Sequence, residues 1–193
     1  MEELNGHISS TIKVVGFWRR VRMTLLDWVI AVIPITILYI FSLKFSIRTE
    51  SVLPFVIYWL FFSVTMIFFT VKYGGTLGKL IMKAKIVDNH GRNLTIVRSI
   101  YRIIFYIIYA ISMIILLNEA IYMKVDEKNI GNYMANSNGV IGQIILIISF
   151  VSIISALFVA FNRNRRAIHD FLAGSYVIDT RTTNNNINNT VES

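Results

Sequence analysis

The chain has 193 residues, no cysteine and two prolines; 55% of its residues are hydrophobic, 16% are charged, and its formal net charge is +8. Soluble domains usually contain about 45–50% apolar and about 25% charged residues, so both fractions are displaced toward those of a membrane protein. The composition excludes disordered chains, and the absence of cysteine excludes disulfide scaffolds, zinc fingers and thiol enzymes.

Four apolar segments are each long enough to cross a hydrocarbon core of about 30 Å as a helix that rises about 1.5 Å per residue. They are predicted at 23–45, 52–71, 100–117 and 140–161. The remaining chain is too short to cover four such helices in water. The sequence therefore predicts an all-α polytopic membrane protein with four transmembrane helices.

Basic residues are distributed unevenly around these helices. Fifteen of the nineteen Lys and Arg residues lie in the N-terminal segment, in the connection between the second and third helices or just inside the third, or in the C-terminal segment. Lys and Arg concentrate on the cytoplasmic side of membrane proteins, so both termini are predicted to be cytoplasmic, in a plasma membrane protein. We therefore expect the net positive charge to contact anionic headgroups of the lipid bilayer, and no nucleic-acid partner is predicted.

The connection 72–97 begins with a glycine-rich basic stretch. Its spacing does not match a phosphate loop, which needs four residues between the first Gly and the Gly-Lys pair, and then Ser or Thr. We expect its glycines to form a tight turn and its lysines to extend to lipid headgroups. The glycines are Gly74, Gly75 and Gly78, and the lysines are Lys79, Lys83 and Lys85.

Two short β-prone runs follow, separated by the residues Asp-Asn-His-Gly. This pattern predicts a small cytoplasmic β-hairpin-like loop with His90 at its tip. No second His and no Cys lies nearby, so no metal site is predicted. The outer loop 118–138 is polar and is expected to be a solvated connection, and the Asn-rich tail is expected to be disordered.

Asp27 is the one acidic residue inside a predicted span. A charged side chain at the centre of a span costs about 2.5–3.5 kcal/mol on insertion scales, so it needs a partner. Arg20 lies on the same helix face about 10.5 Å away along the axis, too far for an easy direct bridge. We therefore expect partners from other segments, with five charged groups converging at the cytoplasmic end of the helices. They are Arg20, Asp27, Arg98, Arg102 and Asp170.

Two interpretations of this cluster remain open, an ion or proton site and a structural network that fixes helix packing. A catalytic site is not predicted. His169 adjoins Asp170, but neighbouring residues on a helix point in different directions, and no paired nucleophile and base is visible. No enzyme activity and no cofactor are therefore predicted.

Three segments together resemble the RDD family, which is named for one arginine and two aspartates. They are GFWRRVRMTLLDWVI at 16–30, GGTLGKLIMKAKIVDNHGRNLT at 74–95 and RRAIHDFLAGSYVI at 165–178. By this resemblance, Arg20, Asp27 and Asp170 correspond to the signature residues. The resemblance assigns 16–178 to a membrane domain, preceded by a cytoplasmic basic segment at 1–22 and followed by the tail at 179–193.

The resemblance implies a small integral membrane protein, and some members are associated with sodium–proton exchange. One hypothesis is a transporter of monovalent cations or protons that works as a homo-oligomer, with Asp27 binding the ion. The alternative is a non-transporting assembly, immunity or regulatory protein that binds another membrane protein.

Overall fold

The computed structural model describes residues 14–137, 139–162 and 164–181. In chain order, its helices are α1 Phe17–Arg48, α2 Leu53–Tyr73, α3 Leu77–Ile81, α4 Ile96–Arg102, α5 Ile104–Tyr122, α6 Glu127–Ala135, α7 Val140–Phe161 and α8 Ile168–Leu172. Strand β1, Ala84–Asp88, follows α3, and strand β2, Ser175–Asp179, follows α8.

Four helices are long and apolar enough to cross a membrane, namely α1, α2 with its continuation into α3, α5 and α7. The predicted mostly helical fold with four spans is therefore confirmed, whereas the cytoplasmic placement of the termini stays a prediction. Helix α1 has 32 residues and continues through Pro34. At about 1.5 Å per residue it is about 48 Å long, longer than the hydrocarbon core is thick.

The third span begins later than predicted. A break at Ile103 separates α4 from α5, so Arg102 is the last residue of a short helix before the span. The span itself extends to Tyr122. This placement removes the guanidinium of Arg102 from the apolar segment, where it would have been costly.

The predicted hairpin is wrong. Strand β1 pairs antiparallel with β2, with Ala84 opposite Asp179 and Asp88 opposite Ser175. A turn does close between Asp88 and Arg92, whose carbonyl accepts the Asp88 amide at 2.8 Å. The second β-prone run then enters α4, because the distant strand β2 already supplies the ladder for β1.

The chain divides into two compact units. The first combines 14–30, 66–102 and the described part of 155–181, and it contains both strands. Its buried apolar core joins the start of α1, β1, the loop after β1, the end of α8 and β2. The core residues are Val15, Met23, Ala84, Ile86, Leu94, Ala173 and Val177.

The second unit combines 31–65 with the described part of 103–154. Its core residues are Phe55, Trp59, Ala110, Leu116, Leu117, Ala120, Ile130 and Met134. Aromatic rings from α2 and α5 meet here, with the centroids of Trp59 and Tyr106 5.3 Å apart. Edge and tilted ring contacts of this kind add to the burial of the side chains.

Helix α6 was not predicted, since its residues lie in the loop expected to be a solvated connection. Ile130 and Met134 are one turn apart and both are buried. Glu127 in the first turn also favours a helix, because an acidic side chain there interacts well with the helix dipole.

The predicted tail overlaps β2 at Asp179, so its first residue is ordered in a strand. Residues 182–193, which hold the rest of the Asn-rich sequence, and residues 1–13 lie outside the described residues. The proposed domain boundaries stay predictions.

Candidate functional site

The first unit contains all five predicted site residues. Arg20 lies in the first two turns of α1, which begins just after the chain pairs with β2 through Val15. Its guanidinium donates to the Asp170 carboxylate at 2.5 Å, to the Arg165 carbonyl at 2.8 Å and to the Val15 carbonyl at 3.3 Å. Arg20 therefore joins α1 to the segment that carries α8.

Asp170 lies in the short helix α8, and its side chain is completely buried. One carboxylate oxygen contacts Arg20 and the other lies 2.5 Å from Arg102 Nη1. It also accepts the Ala167 amide at 3.2 Å, which caps the helix. Burial alone would raise the pKa of Asp170, but the Arg102 and Arg20 guanidiniums outweigh it and hold that pKa well below its usual value. Asp170 is therefore ionised between two cations.

Arg102 is equally constrained. Its side chain is 9% exposed, and besides Asp170 it donates to the Ser175 hydroxyl at 2.6 Å. A second buried arginine, Arg166, donates to the carbonyls of Asp170 at 3.0 Å and Ser175 at 3.1 Å. Its guanidinium is stacked against Phe171. The carboxylate is thus surrounded by partners from α1, α4 and the segment before α8.

His169 contacts its neighbour Asp170, contrary to the expectation that the two side chains point apart. Its Nε2 lies 3.5 Å from Asp170 Oδ1, and its Nδ1 lies 3.1 Å from Ser155 Oγ. Burial, reinforced by the nearby Arg102 cation, lowers the pKa of His169 to about 4. The imidazole is therefore neutral at pH 7.

This shift predicts an acid-sensitive fold. Because the folded-state pKa lies below the ordinary value of about 6.5, the unfolded chain takes up the proton first as the pH falls. Stability present above pH 6.5 is thus lost toward pH 4. Between pH 7 and pH 5, we expect His169→Gln to lose about 2 kcal/mol less stability than the wild type.

Thermal unfolding of detergent-solubilised protein at the two pH values measures this difference. His90→Gln, which replaces an exposed imidazole, controls for the loss of one histidine. An unchanged pH dependence in the His169 variant would contradict the assignment.

Asp27 lies in a separate group of contacts. Thr76 Oγ1 donates to Asp27 Oδ2 at 2.5 Å, and the Gly78 amide donates to Oδ1 at 2.7 Å. Lys79 Nζ lies 3.2 Å from Oδ2 and also donates to Thr76 Oγ1 at 2.7 Å. The partners that Asp27 requires are therefore a hydroxyl, an amide and an ammonium from the start of α3.

Gly78 makes this arrangement possible. A Cβ at Gly78 would lie 2.6 Å from the Met23 carbonyl oxygen and 2.9 Å from the Asp27 carboxyl carbon. The glycine thus permits close approach of two main chains, whereas the expected turn is formed by Gly74 and Gly75, with φ of 78° and 155°. Lys79 binds Asp27, and the expectation that it extends to lipid headgroups is wrong.

Arg98 does not join the buried cluster. Its Nη1 lies 3.7 Å from Asp88 Oδ2, and its side chain is 42% exposed. Asp88 is buried at the end of β1, where its carboxylate accepts the amides of His90 and Arg92 at 2.8 and 2.9 Å. Burial raises the pKa of Asp88, but these amides and the Arg92 guanidinium outweigh it, so the net pKa is lowered.

The predicted set of five therefore separates into three groups. Arg20, Arg102 and Asp170 form one buried cluster, Asp27 lies with Thr76 and Lys79, and Arg98 lies with Asp88. Among the described residues, no three His, Asp or Glu side chains come together as a metal site.

A further ion pair was missed, between Arg19 of α1 and Asp179 of β2. Arg19 also donates to the Met82 carbonyl at 2.7 Å. The signal in the sequence was the Arg-Arg pair in α1, since adjacent helix positions point about 100° apart and so face different partners. Hydrogen bonding to Arg19 lowers the pKa of Asp179.

The comparison with known proteins gives one match. The sequence model of the RDD family matches residues 14–174. No curated protein and no solved structure matches the chain.

Proposed function

The chain belongs to the RDD family, and from that premise we propose that it exchanges monovalent cations or protons across a membrane at Asp27. The observation that carries this proposal is the contact between the Asp27 carboxylate and the Lys79 ammonium, 3.2 Å apart. An ionisable residue inside a span is expensive and is often part of an ion or proton pathway.

Lys79 occupies the position that a transported cation would take. The carboxylate needs one compensating positive charge, and that charge is now supplied by the protein itself. A Na⁺ ion or a proton that reached Oδ2 would supply the same charge and release the ammonium. Displacement of the ammonium leaves its positive charge on the released Lys79, while exchange of Na⁺ for a proton at Oδ2 leaves the net charge of the group unchanged. The carboxylate is compensated at each stage.

The neighbouring atoms suit a small hard cation. Thr76 Oγ1 lies beside Asp27 Oδ2, so two oxygen atoms face the position of the ammonium. Hard cations prefer oxygen ligands. Two oxygens are too few for complete coordination, so the proposal includes water or a second copy of the chain as a source of further ligands.

The other ion pairs have a different role in this proposal. Asp170 is fixed by Arg20 and Arg102, and it is fully buried. A carboxylate between two guanidiniums carries no spare negative charge for a further cation. We assign to this cluster the structural role of holding α1 in place. Asp27, in the same helix, is the residue that exchanges partners. No bond-making chemistry is assigned to either group.

The test is ion flux in vesicles that contain the purified protein. We expect Asp27→Asn to abolish exchange of Na⁺, K⁺ or Li⁺ for protons, detected with a pH-sensitive dye, because a neutral amide cannot hold a cation in place of Lys79. Asp126→Asn is the matched control, since Asp126 is exposed in the loop before α6. It should retain wild-type flux.

Full flux in Asp27→Asn would remove Asp27 from the mechanism. Absence of flux in the wild type, in vesicles with verified incorporation, would instead favour the non-transporting assembly, immunity or regulatory protein. Cross-linking in membranes would then be expected to recover a stoichiometric protein partner. Thermal unfolding of each variant establishes that it is folded.

A further inference from the structure

Two lysines, one in the last turn of α2 and one in β1, have no carboxylate partner among the described residues. Lys72 Nζ lies over two aromatic rings, 5.1 Å from the Phe68 centroid and 5.4 Å from the Tyr73 centroid. Lys85 projects from β1, whose main chain pairs with β2. Neither lysine is among the ion-pair partners of Asp27 or Asp170, which are Lys79, Arg20 and Arg102.

Gly74 brings the second lysine to the helix end. A Cβ at Gly74 would lie 2.4 Å from Lys85 Cγ and 2.7 Å from Lys85 Cε. The carbon chain of Lys85 therefore lies directly across the Gly74 main chain, two residues after Lys72. The Gly74 carbonyl also accepts the Ile86 amide at 2.5 Å, which fixes β1 against this turn.

The ammonium groups are not needed to cap α2. Asn93 Nδ2 donates to the carbonyls of Val71 and Lys72 at 3.0 and 3.2 Å. The terminal carbonyls of the helix, which would otherwise attract a lysine, thus already have a donor. Two positive charges remain available beside the last turn of a membrane-spanning helix.

The surrounding side chains are those of a membrane interface. Phe68 and Tyr73 are 47% and 44% exposed at the end of the apolar segment. Aromatic residues near the ends of apolar helices are typical of the lipid-headgroup region, and a Lys near an anionic membrane surface is attracted to it.

We propose that Lys72 and Lys85 form a binding site for the phosphate headgroup of an acidic phospholipid, with Phe68 and Tyr73 against its glycerol and upper acyl region. Charge complementarity selects an anion, and the exposed rings select a lipid over a free phosphate ion. The proposal is independent of the proposed transport activity.

The test compares Lys72→Gln/Lys85→Gln with Lys124→Gln/Lys128→Gln, which removes the same charge from the connection between α5 and α7. Spin-labelled phosphatidylglycerol and phosphatidylcholine report the relative affinity of each protein for the acidic lipid in reconstituted vesicles. At about 1 kcal/mol for each of the two lysines, we expect the first variant to lose roughly thirtyfold of its preference for the acidic lipid. The second variant should keep the preference.

Lys72→Arg/Lys85→Arg should also keep the preference, because it retains both charges. Lys72→Gln alone, which changes a side chain on an exposed surface, replaces the double variant if that protein does not fold. The proposal is overturned if the double Gln variant keeps the preference or if both pairs of substitutions reduce it equally. Competition by inorganic phosphate at millimolar concentration would also overturn it, because the site would then bind the free ion.

Discussion

Arg102→Gln is expected to lower the free energy of unfolding by about 3 kcal/mol. The substitution removes one of two cations that compensate the completely buried Asp170 carboxylate. Breaking a buried ion pair from one side leaves a charge without its partner, which typically costs about 3–5 kcal/mol. Arg20 remains in contact with Asp170, which places the expected loss at the lower end of that range.

Arg98→Gln is the matched control on the same helix. Arg98 is one turn earlier in α4, is 42% exposed and lies 3.7 Å from Asp88. Exposed pairs contribute at most about 1 kcal/mol, so this variant should unfold close to the wild type. The two substitutions change the same residue type and the same net charge, so a difference between them isolates burial of the ion pair.

Thermal and denaturant-induced unfolding in a mild detergent measure both effects. Equal losses in the two variants would contradict the separation of Arg98 from the buried cluster. A stable Arg102 variant would mean that Arg20 alone compensates Asp170. In that case, adding Arg20→Gln should produce the missing loss, because it removes the remaining cation.

The five charged residues named from the sequence all lie in the first unit, but the sequence did not show how they pair. Arg98 and Arg102 are four residues apart and lie on the same face of one helix, so both were predicted to join one cluster. The end of β1 supplies Asp88 to Arg98, while α8 supplies Asp170 to Arg102. Helical periodicity states which side chains share a face, and it does not state which segment will pack there.

The prediction of the strand pairing was wrong for a related reason. Two β-prone runs separated by a turn usually form a hairpin, and the turn at Asp88 does form. The partner of β1 lies more than eighty positions along the chain in β2. Local spacing contains no information on that distance. The four spans, in contrast, follow from hydropathy alone, because the bilayer imposes the length and the apolar composition.

The contacts of Asp27 required the tertiary structure. The sequence indicated that a carboxylate within a span needs a partner. It also showed three glycines followed by a lysine at the start of the connection 72–97, after the second span. It could not show that Gly78 lies against α1, since a glycine in a turn and a glycine at a close approach look the same in sequence.

Gly78→Ala tests that close approach directly, and we expect it to lower the free energy of unfolding by about 3 kcal/mol. The added Cβ would lie 2.6 Å from the Met23 carbonyl oxygen and 2.8 Å from the Asp27 amide nitrogen. Both are main-chain atoms of α1, so the overlap cannot be relieved by rotating a side chain. Overpacking a tight contact costs about 1–3 kcal/mol or more, and separation of the chains would also lengthen the hydrogen bond from the Gly78 amide to Asp27.

Gly131→Ala is the corresponding control with the opposite expected sign. Gly131 lies in α6 with no atom within 4 Å of an added Cβ, so alanine should stabilise the helix by up to about 1 kcal/mol. Unfolding in detergent measures both variants. If Gly78→Ala unfolds like Gly131→Ala, α3 does not approach α1 as closely as described, and the contact between Lys79 and Asp27, which depends on that approach, would lose its geometric basis.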